Sequence, residues 1–134
     1  MTYVIRHETP SPEVYRALRV GAGMTPKSPA AAAAGLPGTW HAVVVHLDDQ
    51  PIGMGRVIGD GGTAFQIVDV CVLPEHQGRG VGKTIMSSLI QELRDRAPST
   101  AYVSLIADGD ARHLYEKFGF TETAPESVGM ALVL

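Results

Sequence analysis

The chain is short of several things, and each shortage removes a class of protein. It holds one cysteine, Cys71, so no intramolecular disulfide can form and a cysteine-based zinc site is excluded. No apolar run approaches the roughly eighteen residues that cross a bilayer as a helix. A basic excess is also missing: eleven Lys and Arg stand against fourteen Asp and Glu, a net charge of −3. A nucleic-acid binder would normally carry a basic surface, so none is expected here. The start, Met-Thr-Tyr-Val-Ile-Arg, lacks the basic flank and apolar stretch of a signal peptide. The expectation is a cytoplasmic protein with no membrane partner.

What the chain has is the composition of a folded domain. Apolar residues make up 45% and charged residues 19%, which excludes intrinsic disorder. At 134 residues the expectation is one domain spanning residues 1–134, large enough to support its own core. Fifteen glycines and nine prolines point to frequent turns.

Along the chain, Tyr3 to Arg6 reads as a first strand. Ser11-Pro12-Glu13 supplies an N-cap, a proline at the first helical position and an early acid, predicting a helix to about Val20. Ser28-Pro29 repeats that signal for a short helix stopped by Gly35, within an irregular stretch from Gly21 to Gly38. A meander follows, with strands at His41 to Leu47, Ile52 to Gly59 and Thr63 to Val72. If Gly61 and Gly62 centre the second turn, Met54 faces Asp69 and Arg56 faces Ile67, with Asp69 the diagonal neighbour of Arg56. Val81, Ile85, Leu89 and Leu93 recur every four residues and predict a helix from Gly80 to about Ala97. A strand over Ala101 to Ile106, a helix over Asp110 to Phe118 and one or two strands from Phe120 to Leu134 complete an α/β order.

The chemistry concentrates between the third meander strand and the long helix, at Gln77-Gly78-Arg79-Gly80-Val81-Gly82-Lys83. Glycines let a backbone turn tightly and bring its amides close to a ligand, and a helix N-terminus adds free N–H groups that suit a phosphate. A Walker A loop would need glycine where Gln77 stands, and the dinucleotide spacing G-x-G-x-x-G is not met. What fits is Gln-x-x-Gly-x-Gly at Gln77, Gly80 and Gly82. Upstream stands Val70-Cys71-Val72 with Leu73-Pro74-Glu75-His76; downstream, Ala111 to Phe120 ends in Tyr115-Glu116-Lys117-Phe118-Gly119-Phe120. In order and spacing these segments resemble the GNAT superfamily, the acetyl-CoA-dependent N-acetyltransferases. The motifs lie within about Gly53 to Phe120, while the element order fits the whole chain.

That resemblance implies a mixed central sheet, an antiparallel meander followed by a parallel strand pair, flanked by about four helices. It implies acetyl-CoA as co-substrate, with Gln77 to Lys83 holding the pyrophosphate and the Val70, Cys71 and Val72 backbone holding the pantetheine arm. Arg79 and Lys83 either meet phosphates or are only solvated. Tyr115 matches the tyrosine whose hydroxyl meets the cofactor sulfur; the plainer alternative is packing against Phe118 and Phe120. Asp108 stands where many members carry an arm-binding asparagine, and a carboxylate can accept such a bond but not donate it. For the base, Gln66 stands where histone-type members have a glutamate and cannot serve. Asp69 either takes the amine's proton through a water or anchors Arg56. Cys71 admits an acetyl-cysteine reading, but no histidine is placed by the sequence to activate it.

The implied reaction is acetyl transfer to a primary amine of a small molecule or peptide, held between Tyr15 to Trp40 and Glu122 to Met130. The alternative is an inactive acetyl-CoA-binding sensor. No spacing suggests a metal, His76 and His113 read as solvent-facing, and a homodimer stays open.

Overall fold

A computed structural model describes residues 2–134. The first strand, β1 (Tyr3–Arg6), is followed by helix α1 (Pro12–Gly21), where the Ser11 hydroxyl caps the helix by accepting from the Val14 amide at 3.2 Å. Helix α2 (Pro29–Gly35) is capped likewise by Ser28, and the irregular segment between the helices is tied down by α1. Arg16 Nε donates to the Lys27 carbonyl, and Arg19 donates to the carbonyl and hydroxyl of Thr25. Strands β2 (His41–Leu47), β3 (Gln50–Gly59) and β4 (Ala64–Val72) form the meander. Helix α3 (Val81–Arg96), strand β5 (Tyr102–Ser104) and the short helix α4 (Arg112–Glu116) follow. The sheet runs in chain order, antiparallel from β1 to β4 and parallel between β4 and β5.

The two faces of the sheet are covered differently. On one, Val81, Ile85, Met86, Leu89 and Leu93 of α3 pack on Val43, Val45, Val57, Phe65 and Ile67. Helix α3 comes so close to β3 that a Cβ on Gly55 would lie 2.6 Å from Ile85 Cγ2. On the other face, Tyr15 and Leu18 of α1 and Ala32 of α2 cover Met54 and Cys71.

The β3–β4 register departs from the expected one. Gly59 faces Phe65 and Arg56 faces Val68, one residue out from a turn centred on Gly61-Gly62. The Asp60 carboxylate accepts from the amides of Gly62, Thr63 and Ala64 and from the Thr63 hydroxyl, and the Asp60 amide donates to the Ala64 carbonyl. That chemistry builds a three-residue loop in place of the two-residue turn. A second shift follows, because Met54 pairs with Cys71. Where β3 has Gly55, β4 has both Asp69 and Val70, with Asp69 at φ 59°. This is a β-bulge with a left-handed aspartate, and it bends the strand.

Ahead of the bulge, after Gln66, β4 and β5 part company. Their parallel pairing covers only Ala64–Gln66 against Tyr102–Ser104, so β5 is shorter than the Ala101 to Ile106 expected. The last helix is shorter too, with a 3₁₀ turn at Gly109–Ala111 before α4. The strands expected from Phe120 onward do not form: residues 120–134 are turns and irregular chain, and Val128, Met130, Leu132, Val133 and Leu134 are exposed. A strand needs a partner edge, and among the described residues nothing pairs with the free side of β5. No helix among the described residues is long and apolar enough to cross a membrane.

Candidate active site

The splay of β4 from β5 opens a cleft of about 430 Å³. It is lined by Ile67 to Val72 on one side and by Leu105, Ile106 and Asp108 on the other, with Gln77, Gly82 and Tyr115 closing it. Because β5 has already diverged, the β4 edge from Ile67 to Val72 faces the cleft with no strand beside it among the described residues. An extended ligand carrying amide groups could pair there as a strand would.

The glycine loop is built for close backbone approach. Gly78 and Gly80 take φ of 75° and 81°, and a Cβ on either would meet nothing within 4 Å. Gly80 is the N-cap of α3 and, lacking a side chain, leaves the first-turn amides without a side-chain cap. Arg79 and Lys83 are exposed and form no ion pair among the described residues. Val81 buries its side chain against the sheet, so it can offer a ligand only its amide. Gln77 has a job the sequence did not suggest: its Nε2 donates to the Val72 carbonyl at 3.0 Å, fastening the loop to the end of β4.

Tyr115 projects from α4 into the same cleft, half-buried. Burial raises its pKa above the ordinary 10, and the nearby Asp108 carboxylate raises it further. The phenol is therefore a held proton at neutral pH. Asp108 is exposed at the head of the 3₁₀ turn, where its charge adds to the burial that raises the Tyr115 pKa.

Asp69 is fully engaged. Arg19 Nη1 donates to its Oδ1 at 2.7 Å, Arg56 Nε to its Oδ2 at 2.8 Å, and the Tyr15 hydroxyl to Oδ1 at 3.2 Å. Its side chain is 7% exposed. A proton taken there would sacrifice two charge-assisted hydrogen bonds, so the geometry favours the anchor over the base. Arg56 was foreseen beside Asp69; Arg19 and Tyr15 were not. The signal for them is their spacing: four apart on α1, beside Leu18, they share its buried face.

Cys71 turns its thiol to the Leu18 carbonyl, at 3.9 Å. Burial first, and the Asp69 charge second, push its pKa up to about 12, so it stays a neutral thiol packed under α1.

The acetyltransferase (GNAT) domain family matches residues 38–122, well over half of the chain. The chain belongs to the GNAT family. Its fold is shared with a crystal structure of a probable acetyltransferase, a protein of unknown function from meticillin-resistant Staphylococcus aureus. The two are 46% identical with a TM-score of 0.94, covering 99% of this chain and 100% of that one. An uncharacterized N-acetyltransferase (ycf52) of Pyropia yezoensis is 37% identical over 79 residues, covering 59% of this chain and 44% of the relative. A [ribosomal protein bS18]-alanine N-acetyltransferase of Haemophilus influenzae is 35% identical over 77 residues, 56% of this chain and 51% of the relative. This GNAT chain thus spans about half the length of these curated relatives. The family match contains the bulged β4, the glycine loop and Tyr115.

Proposed function

We propose that this chain is an N-acetyltransferase that binds acetyl-CoA in the β4–β5 cleft and passes the acetyl group directly to a primary amine. One observation carries the reading. A free strand edge, a glycine loop at a helix N-terminus and a protonated tyrosine line one cleft.

Each residue then has a defined task. The backbone amides from Gln77 to Lys83, with the Arg79 and Lys83 side chains beside them, receive the pyrophosphate. The β4 edge at Val70 to Val72 receives the pantetheine arm, and a backbone amide there polarises the thioester carbonyl as the sole oxyanion donor. The thioester supplies an activated acetyl carbon. The amine nitrogen forms the new C–N bond as the C–S bond breaks, and the sulfur leaves with the electron pair. Tyr115 donates its proton to that sulfur and recovers it from solvent, while the nitrogen sheds a proton to water. With Asp69 held by two arginines, no carboxylate is assigned as the base.

A thiol-release assay with acetyl-CoA against a panel of amines tests the reading, together with the thermal shift that acetyl-CoA produces. Tyr115→Phe keeps the ring and should lower turnover by about 10²–10⁴-fold. The acetyl-CoA shift should survive in that variant, because the arm lies on backbone. Full turnover in Tyr115→Phe would remove the catalytic role. A shift without turnover on any amine would leave a binding module.

A further inference from the structure

Beneath α2, on the face of the sheet opposite α3, lies a second cavity of about 220 Å³. Tyr15, Lys27, Ala32, Leu36 and Arg56 line it, and no lining residue is acidic. It adjoins the cleft through one ion pair: Arg56 lines the cavity, Asp69 lines the cleft, and the two are 2.8 Å apart.

The charges here do not balance. Arg19 and Arg56 are 6% and 8% exposed, and among the described residues Asp69 is the single carboxylate that either of them meets. Buried charges are normally paired, because an unpaired one loses its hydration without compensation. Tyr15 does not supply the missing negative charge, since burial first and Asp69 second raise its pKa and keep the phenol neutral. Arg19 spends its three nitrogens on Thr25 and Asp69. Arg56 spends Nε on Asp69 and Nη1 on the Thr39 hydroxyl, leaving Nη2 without a hydrogen bond among the described residues. Lys27, at the cavity's mouth, is exposed and makes no ion pair among the described residues.

We infer that this cavity is an anion subsite of the acceptor, so that the amine acetylated by this chain carries a carboxylate or phosphate that Arg56 and Lys27 receive. The inference rests on the acetyltransferase reading and adds the substrate's charge to it. The Arg56–Asp69 pair borders both cavities, so the anion and the amine would sit on either side of it. Arg56 is rigidly held by Asp69 and Thr39, so its remaining donors are set before the ligand arrives, which favours a planar or tetrahedral oxyanion. Lys27 closes the mouth as a point charge.

The test uses the whole chain at fixed ionic strength with saturating CoA, which occupies the glycine loop and leaves added anions to the second cavity. Inorganic phosphate or succinate should then raise the melting temperature of the wild type. Lys27→Glu should fold and answer to CoA normally, and lose the anion response. In turnover, O-phosphoethanolamine should outperform ethanolamine, and β-alanine should outperform 3-aminopropanol, by about tenfold or more in kcat/KM for the better-fitting anion. The two pairs tell phosphate from carboxylate. Lys27→Glu should erase the preference without moving the KM for acetyl-CoA. A normal CoA shift with neither anion response nor anionic preference would overturn the subsite and leave the acetyltransferase reading standing. An anion response that survives Lys27→Glu would place the ion elsewhere and also overturn it. Absence of any CoA shift overturns the acetyltransferase reading, and this inference with it.

Discussion

The two faces of the sheet are held by different physics. Under α3 the contacts are apolar throughout, from Val81 to Leu93 against Val43, Val57 and Ile67. Under α1 and α2, a similar apolar patch of Leu18, Ala32, Met54 and Cys71 surrounds a charged knot of Arg19, Asp69 and Arg56. The α3 face should tolerate apolar substitutions that keep volume. The α1 face is less tolerant, because removing Asp69 leaves both guanidiniums buried without a carboxylate. The fixed charges gather at the bulge of β4.

The sharpest way to break that contrast is Asp69→Asn. It leaves two buried guanidiniums with a neutral partner and should cost about 3–5 kcal/mol by urea denaturation. If Asp69 is an anchor, what activity remains should keep the wild-type acidic limb in its pH–rate profile. On the other face, Leu89→Ala should cost about 2–5 kcal/mol through the cavity it leaves. Its cost should not change with salt, because no charge is removed.

A third measurement uses Cys71, which lies under α1. Its folded pKa of about 12 stands above its ordinary 9.0, so the folded chain keeps a proton that the unfolded chain sheds. The stability linked to it is whole below pH 9.0 and drains away as pH climbs toward about 12. In reducing urea titrations, the stability difference between wild type and Cys71→Ala should therefore move by about 2 kcal/mol against the wild type between about pH 9 and about pH 10.5. The smallest effect is at the start of α1: Ser11→Ala, losing the cap to Val14, should cost about 1 kcal/mol and spare the α3 face.

The same contrast governs what could be read in the sequence. The α3 face was legible because Val81, Ile85, Leu89 and Leu93 carry a helical period that only one buried stripe can explain. The glycine loop and Tyr115 were legible as motifs, and the structure brings them to one cleft. The β4 register was not, because it depends on how the Asp60 carboxylate folds the loop and on a bulge at Asp69 that no periodicity announces. Arg19 was missed for a related reason. A guanidinium on a mostly apolar helix face looks solvated until the carboxylate it meets is known, and that carboxylate is fifty residues away. The terminal segment failed in the opposite sense. Val128, Met130, Leu132 and Leu134 fall at alternate positions, as a strand's would, yet a pattern in one segment says nothing about the edge it would need.

The bulge at Asp69 divides β4 into two reading phases. Before it, odd-numbered residues face α3, as Phe65 and Ile67 do; after it the even-numbered Val70 and Val72 take that side, and Cys71 turns to α1. One extra residue thus acts like a frameshift written in space. Deleting a single residue at this point would restore one phase along the whole strand. With Asp69 removed, Val70 and Val72 would keep facing α3, but Arg19 and Arg56 would lose the carboxylate that anchors them. The anchor for Arg19 and Arg56 is thus supplied by the one residue that β4 carries in excess of its neighbour.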